Sequence, residues 1–175
     1  MNRNEDVFPI WKQDKIQLEK IQQPSIDTSL LIEYAPRDLV FYKDEFYKSQ
    51  INSISYIVFG RDVNYFYTID ERTQYVYLIC DNELIFCNTS FEKFAICHNK
   101  FYKFVRQMRL ADIIIPNIDT LDLLEQQIEN YDSKAMEEDA YWTVSLYELS
   151  EGFFRLDDNY PNQLLKMVAS LKSSR

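Results

Sequence analysis

The segment 54–88 places the strongest constraint on the fold, because it holds four short runs of β-branched and aromatic residues. The runs are ISYIVFG at 54–60, VNYFYTID at 63–70, YVYLIC at 75–80 and ELIFC at 83–87. Runs of this length and composition, separated by turn-forming residues, are typical of strands that are neighbours in one sheet. The sequence therefore predicts a β-sheet built from the middle of the chain.

Side-chain alternation along these runs predicts how the sheet is covered. Between residues 63 and 69 we expect the odd-numbered side chains to be buried and the even-numbered ones to lie on a wetter face. In 75–80 both faces are apolar, which is typical of a central strand covered on both sides.

The pair Asp81-Asn82 predicts a two-residue hairpin turn between the last two runs, because both residues tolerate positive φ angles. Residue 80 then lies opposite 83, residue 78 opposite 85 and residue 76 opposite 87. Cys80 and Cys87 are thereby about 13 Å apart along the sheet, which is too far for a disulfide.

The three cysteines, Cys80, Cys87 and Cys97, are odd in number and show no C-x-x-C spacing. We predict that they are buried thiols rather than redox or nucleophilic groups.

Helical patterns flank the predicted sheet. A leading helix is expected over about 11–22, ended by Pro24. The capping box Thr89-x-x-Glu92 predicts the start of a helix that continues to about residue 108, with lysines and arginines on its outer face.

Three more helices are predicted in the second half of the chain. One spans 120–131, capped by Asp119 or Thr120, and the next spans about 137–150. Gly152 follows where a left-handed cap is needed, and Tyr160-Pro161 opens the last helix, with an apolar stripe formed by Leu164, Leu165, Val168 and Leu171. Residues 1–175 are therefore predicted to form a single α+β domain, with an antiparallel or mixed sheet of about four to six strands flanked by helices.

Composition argues against most enzyme classes. Two glycines cannot form the usual phosphate-binding loops, and no G-x-S-x-G nucleophile motif is present. The only histidine, His98, has no second His or Cys three or four positions away. We therefore expect no catalytic residues, no metal site and no cofactor.

Acidic residues are concentrated in one part of the chain. Residues 112–158 hold thirteen acidic and two basic residues, a net charge of −11, whereas the other 128 residues have a net charge of +2. The total of −9 argues against direct nucleic-acid binding, which needs cationic surface. Seven residues are candidates for a docking surface that binds a basic protein: Asp122, Glu125, Glu129, Asp132, Glu137, Glu138 and Asp139. The alternative is a solvated face that only keeps the protein soluble.

Targeting signals are not evident. The chain starts with a polar, charged stretch, and no window approaches 18 consecutive apolar residues. We expect a soluble, cytoplasmic protein that does not bind membranes.

Two segments carry a family pattern. The first is YIVFG at 56–60, YFYTID at 65–70, QYVYLIC at 74–80 and NTSFEKF at 88–94, and the second is DAYWTVSLYELSEGFF at 139–154. With this pattern the chain resembles the SUKH superfamily, small α+β proteins that include bacterial immunity proteins and a fungal cell-wall regulator. That family usually has a glycine before its third strand, where this chain has Thr73-Gln74.

The resemblance implies a non-enzymatic immunity protein, which blocks a toxin, often a nuclease, inside the cell that produces it. Tyr141 and Trp142 are candidate anchors of the interface, although we expect Trp142 to pack in the core. A cytosolic scaffold or regulatory module of the same fold is an alternative, and an adjacent toxin gene would favour the immunity protein. A small-molecule-binding domain is another alternative, based on the aromatic residues at 41–47 and 65–77, and a deep apolar pocket would favour it.

Overall fold

The computed structural model describes residues 17–22, 24–62, 65–80 and 83–156. The predicted helix that opens at Tyr160 and residues 11–16 of the predicted leading helix lie outside these residues. No helix within the described ranges is long and apolar enough to cross a membrane.

The described residues form one antiparallel sheet of seven strands, so the α+β fold is confirmed and the sheet is larger than predicted. The strands are β1 (Glu19–Ile21), β2 (Val40–Phe41), β3 (Phe46–Ile51), β4 (Ile54–Arg61), β5 (Phe66–Asp70), β6 (Val76–Cys80) and β7 (Glu83–Asn88). Their order is β1-β3-β4-β5-β6-β7, with β2 paired to β4. Strands β3 to β7 therefore pair in chain order, as expected for short runs joined by turns.

The predicted leading helix is wrong over Glu19–Ile21, which is β1. These residues pair with residues 46–48 at the edge of β3. Hydrogen bonds to a strand edge outweigh the weak helical preference of so short a segment.

The predicted turn residues Asp81 and Asn82 lie outside the described residues. The predicted pairing of β6 with β7 is confirmed beside them, where Cys80 lies opposite Glu83 and Leu78 opposite Ile85. Farther along, an irregularity between Val76 and Tyr77 places Val76 opposite Asn88 instead of residue 87. The extra residue of a bulge shifts the pairing by one position. The residue types in this run did not indicate a bulge.

Three α-helices follow the sheet: α1 (Phe91–Leu110), α2 (Ile118–Tyr131) and α3 (Tyr141–Ser150). A 3₁₀ helix at Ser133–Met136 separates α2 from α3, and another at Ala35–Arg37 precedes β2.

The helix starts differ from the prediction by a few residues. Ser90, not Thr89, caps α1 by accepting a hydrogen bond from the Lys93 amide at 3.2 Å. Asn117 caps α2 in place of Asp119 or Thr120, because its side chain accepts from the Asp119 amide at 2.8 Å. Several polar residues in a row compete for each cap, and backbone geometry selects one.

The helix predicted over 137–150 starts later, at Tyr141. Asp139 has a φ angle of 63°, a left-handed conformation that a helix cannot contain. Gly152 adopts a φ angle of 71° after α3, as predicted for a residue that ends a helix.

The helices cover one face of the sheet and form the main core with it. The largest group of its fully buried side chains is aromatic: Phe41, Phe46, Phe59, Tyr67, Phe94, Phe101, Tyr102 and Trp142. A second cluster, formed by Ile51, Tyr56 and Ile79, lies apart from it. It covers the second face of 75–80 only in part, because Tyr75 and Tyr77 are half-buried. Thr68 was expected on a wetter face but is buried, and its hydroxyl donates to the Tyr77 carbonyl at 3.1 Å.

Candidate protein-binding surface

Helix α2 carries three of the predicted site residues as an exposed strip. Asp122, Glu125 and Glu129 are spaced three and four residues apart, and all three are at the surface. The other side of the helix buries Leu121, Leu124 and Ile128 in the core. This burial fixes the rotation of α2 and keeps the carboxylates directed away from the core.

Three further predicted residues lie in the turn before α3. Glu137, Glu138 and Asp139 are all exposed. The Thr143 hydroxyl donates to the Glu137 carbonyl at 3.0 Å, which ties this turn to the first turn of α3. We call the six exposed carboxylates of α2 and this turn the acidic face: Asp122, Glu125, Glu129, Glu137, Glu138 and Asp139.

Asp132, the seventh predicted residue, does not belong to the acidic face, because its side chain is only 2% exposed. One of its oxygens, Oδ2, accepts from the Thr89 amide at 2.7 Å, the Thr89 hydroxyl at 3.1 Å and the Asn88 side-chain amide at 3.1 Å. Its Oδ1 lies 3.6 Å from Lys93 Nζ. The residue is therefore a structural link between the end of α2 and the start of α1.

The same network reaches the core through Asn88. Its side-chain oxygen accepts from Trp142 Nε1 at 2.8 Å, and Trp142 is fully buried. The expectation that Trp142 packs in the core is thus confirmed. Tyr141 is also buried, at 4% exposure, so the surface of this protein does not display it as an anchor.

No basic side chain in the described part of the chain neutralises the acidic face. None of its six carboxylates forms an ion pair there. Two lysines of neighbouring elements make other contacts. Lys134 lies over the rings of Tyr75 and Phe86, and Lys100 donates to the Gln127 side chain at 3.0 Å. An uncompensated field of one sign attracts partners of the opposite charge.

A groove between α2 and α3 adjoins the acidic face, and we call it the α2–α3 groove. Its volume is about 250 Å³. Its lining is formed by Ile118, Leu121, Asp122, Glu125, Met136, Thr143, Leu146, Tyr147 and Ser150. Sites for small molecules usually measure about 300–1,000 Å³, so this groove suits one or two protein side chains better.

Exposed apolar side chains line the groove and also occur in the segments that flank α2 and α3. Ile118 and Tyr147, which line it, are 64% and 61% exposed. Ile114, Ile115 and Phe153 are also about half exposed, and the two isoleucines lie against Gly152 after α3. A cluster of apolar side chains rimmed by charge is typical of a protein-binding surface.

A buried polar cluster was not predicted from the sequence. The Arg37 guanidinium lies 3.3 Å from the Asp62 carboxylate and stacks over the Phe154 ring at 5.0 Å. The Tyr141 hydroxyl lies 3.3 Å from that of Tyr67, and burial holds the pKa of both phenols well above the usual value. Only folding brings these distant positions together, so no local motif marked the cluster.

The aromatic residues that raised the possibility of a small-molecule site largely form the core. Phe41, Phe46 and Tyr67 are fully buried, and Phe41 packs its ring edge against Tyr67 at 5.4 Å. These rings fill space with each other and line no part of the α2–α3 groove.

The candidate reactive side chains are buried as well. His98 Nε2 lies 2.9 Å from the Ile32 carbonyl, and burial lowers the pKa of His98 to about 4. Burial raises the pKa of Cys97 to about 11 and that of Cys87 well above its usual value, so both thiols stay protonated. Cys80 is only half-buried, so the prediction of a buried thiol is wrong for this residue, and none of the three cysteines, all within the described ranges, forms a disulfide. Within the described residues there is no group of three or more His, Cys, Asp or Glu side chains that could hold a metal ion.

Comparison of the chain with protein-family models, curated proteins and solved structures finds no match.

Proposed function

We propose that this chain is a non-enzymatic binding protein whose acidic face docks on a cationic surface of a protein partner. The observation that carries the proposal is the set of six exposed carboxylates without an ion pair in the described residues. Like charges three or four residues apart on α2 repel each other by roughly 0.2–0.5 kcal/mol per pair. A cationic partner removes this repulsion, so complex formation is favoured where the carboxylates lie.

The partner that we propose is a toxin domain, in particular a nuclease, which the protein neutralises in the cytoplasm. Two arguments support this class. The SUKH resemblance implies an immunity protein, and a nuclease holds phosphate groups with lysine and arginine side chains. Six carboxylates on two neighbouring elements present anionic charge to such a site without any catalytic group.

The first test is binding to toxin domains encoded beside the gene of this protein. We expect a stable complex with a cationic domain and protection of cells that express it. The variant Glu125→Lys/Glu129→Lys/Glu138→Lys should bind at least about tenfold more weakly, since each rim pair contributes about 0.2–1 kcal/mol and the new lysines repel the partner. The dissociation constant of the purified pair is measured by calorimetry at several salt concentrations.

The matched control is Glu83→Lys, because Glu83 is also exposed but lies at the start of β7. It should leave affinity unchanged, and circular dichroism should show both variants folded. Unchanged affinity and salt dependence in the triple variant would refute the acidic face as the docking surface. Binding of a non-toxic partner through the same face would instead favour the scaffold function.

A further inference from the structure

Two stripes of side chains, one from each helix, form the walls of the α2–α3 groove. The members of each stripe follow its first residue by three, four and seven positions, so they share one helix face: Ile118, Leu121, Asp122 and Glu125 on α2, and Thr143, Leu146, Tyr147 and Ser150 on α3. Each wall is therefore about 10 Å long, which is about two helical turns. A groove of this length between two helices matches two turns of a third helix, which is a common way of binding a peptide.

Burial separates the floor of this groove from its rim. Leu121 and Leu146 are buried, whereas Ile118 and Tyr147 on the same two stripes keep most of their surface exposed. An occupant with an apolar face would contact both pairs and would remove the surface of Ile118 and Tyr147 from water. The groove thus requires an apolar stripe on whatever binds there.

The two walls of the groove differ in charge. The α2 wall carries the exposed carboxylates of Asp122 and Glu125, which belong to the acidic face. On the α3 wall, the hydroxyls of Thr143 and Ser150 already donate to backbone carbonyls of this chain, at 3.0 and 2.8 Å. The residues that line the α3 wall carry no charge. Charge complementarity therefore calls for basic side chains along one flank of the apolar stripe.

A second copy of this chain is a poor occupant of the groove. Symmetric dimers bring the same surface of both copies together. Such a contact would place Asp122 and Glu125 of one copy near those of the other, and like charges at an interface cost free energy. Anionic lipid head groups are repelled by the same carboxylates. A different protein with positive charge fits the groove better.

We propose that the α2–α3 groove binds a short amphipathic helix of the partner protein, with apolar side chains on the floor and lysine or arginine side chains beside Asp122 and Glu125. The inference rests on the proposed function, because the same cationic partner supplies the helix, and it gives that partner an apolar anchor as well as a positive charge. The carboxylates speed association and orient the helix, whereas the anchor in the groove slows dissociation.

The first experiment measures the binding of a synthetic peptide to the full-length protein by calorimetry. The peptide has about fourteen residues, or about four helical turns, with leucines three and four positions apart and with lysines and arginines along one flank of the leucine stripe. A scrambled peptide of the same composition has the same charge but no apolar face. We expect one amphipathic peptide to bind per chain, at least about tenfold more tightly than the scrambled one. Equal affinities of the two peptides, or no binding of either, would overturn the proposal.

A pair of protein variants then locates the apolar contact. Ile118→Ala/Tyr147→Ala removes the rim of the groove, whereas Leu123→Ala/Val144→Ala removes two exposed apolar side chains of the same helices that do not line it. We expect the first variant to bind the amphipathic peptide at least about tenfold more weakly and the second to bind it as the natural protein does. Circular dichroism checks that both are folded. Equal affinities in the two variants would contradict the groove as the binding site, and so would a dimer of this chain that only the first variant dissociates in sedimentation.

A second pair of variants tests the charge of the α2 wall. Asp122→Asn/Glu125→Gln neutralises the two carboxylates that line the groove, and Glu129→Gln/Glu138→Gln neutralises two that belong to the acidic face but do not line it. We expect the first variant to bind the amphipathic peptide at least about threefold more weakly than the second, with a smaller dependence on salt. Equal affinities would show that the peptide responds to the total charge of the protein and would overturn its proposed orientation in the groove.

These experiments contain no toxin domain, so their failure counts against the groove alone. Failure of every neighbouring toxin domain to bind counts instead against the proposed function. A toxin domain that loses affinity for Glu125→Lys/Glu129→Lys/Glu138→Lys but not for Ile118→Ala/Tyr147→Ala would support the acidic face and contradict the helix in the groove.

Discussion

At the residue scale, Asp132 joins segments that are far apart in the sequence. Its carboxylate accepts hydrogen bonds from Asn88 and Thr89 at the end of the sheet and lies near Lys93 in the first turn of α1. Asn88 extends the link to Trp142 in α3. A buried carboxylate with several donors contributes strongly to stability, because its removal leaves those donors unsatisfied.

We therefore expect Asp132→Ala to lower the free energy of unfolding by about 3–5 kcal/mol. Asp132→Asn should lower the free energy of unfolding by less, because the asparagine oxygen can still accept a hydrogen bond from the Thr89 amide or hydroxyl. The control is Glu129→Ala, an exposed carboxylate of the acidic face, which should change stability by less than about 0.5 kcal/mol. Urea denaturation measures all three, and an Asp132→Ala value similar to that of Glu129→Ala would contradict the structural role.

The sequence pattern misassigned Asp132 for a clear reason. It lies at the end of an acidic series on α2, and its spacing from Glu129 resembles that of its exposed neighbours. The donors that bury it come from Asn88, Thr89 and Lys93, so neither periodicity nor charge within the second half of the chain indicates its position.

At the element scale, the strands of 54–88 and the face of α2 were predictable because each depends on contacts that repeat every two or three to four residues. The exact helix starts were not, since several neighbouring polar residues can each serve as a cap. Strand β1 was missed because its pairing partner, residues 46–48, is distant in the sequence.

Strand β4 provides a prediction about close packing. It pairs with β3 along residues 54–58 and with β2 at Gly60 and Arg61. A Cβ at Gly60 would lie 2.5 Å from Cδ1 of the buried Phe41 ring and 3.0 Å from the Val40 carbonyl oxygen. The glycine leaves the space that Phe41 needs.

Gly60→Ala should therefore lower the free energy of unfolding by about 1–3 kcal/mol through overpacking. Phe41→Val has no atom beyond the γ carbons, so it removes the ring atoms that the new methyl group would meet. The loss in the double variant should accordingly be smaller than the sum of the two single losses. Chemical denaturation of the four proteins measures this coupling, and strictly additive losses would show that the Phe41 contact is not the cause.

At the scale of the whole molecule, the two layers meet around His98 of α1. Its ring lies 5.0 Å from Phe41 of β2, 4.6 Å from Tyr102 of α1 and 6.3 Å from Trp142 of α3. Its Nδ1 has no hydrogen-bond partner among the described residues. Protonation of this ring would place an uncompensated charge in the centre of the core.

The stability of the protein should therefore depend on pH between about 6.5 and 4. The pKa of His98 is lowered by burial to about 4 in the folded protein, against an ordinary value of 6.5 that applies on unfolding. The unfolded chain thus binds more protons in this window, and stability is full above pH 6.5 and falls by about 3 kcal/mol as the pH approaches 4. His98→Gln keeps a donor for the Ile32 carbonyl without titrating. The free energy of unfolding of this variant, measured by denaturation across this pH range, should fall less than that of the natural protein. An equal fall in the two proteins would exclude His98 as the cause of the pH dependence.

The sequence by itself determined the α+β class, the sheet-forming runs, the buried Trp142 and the concentration of acidic residues in one segment. These features follow from local composition and periodicity, which reflect contacts between residues close in the chain. Only the tertiary structure decided that Asp132 is buried, that Arg37 pairs with the buried Asp62, and that the groove between α2 and α3 lies beside carboxylates that form no ion pair within the described ranges. Each of these features requires residues that are far apart in the sequence to meet, and their burial and pairing depend on how the helices pack on the sheet.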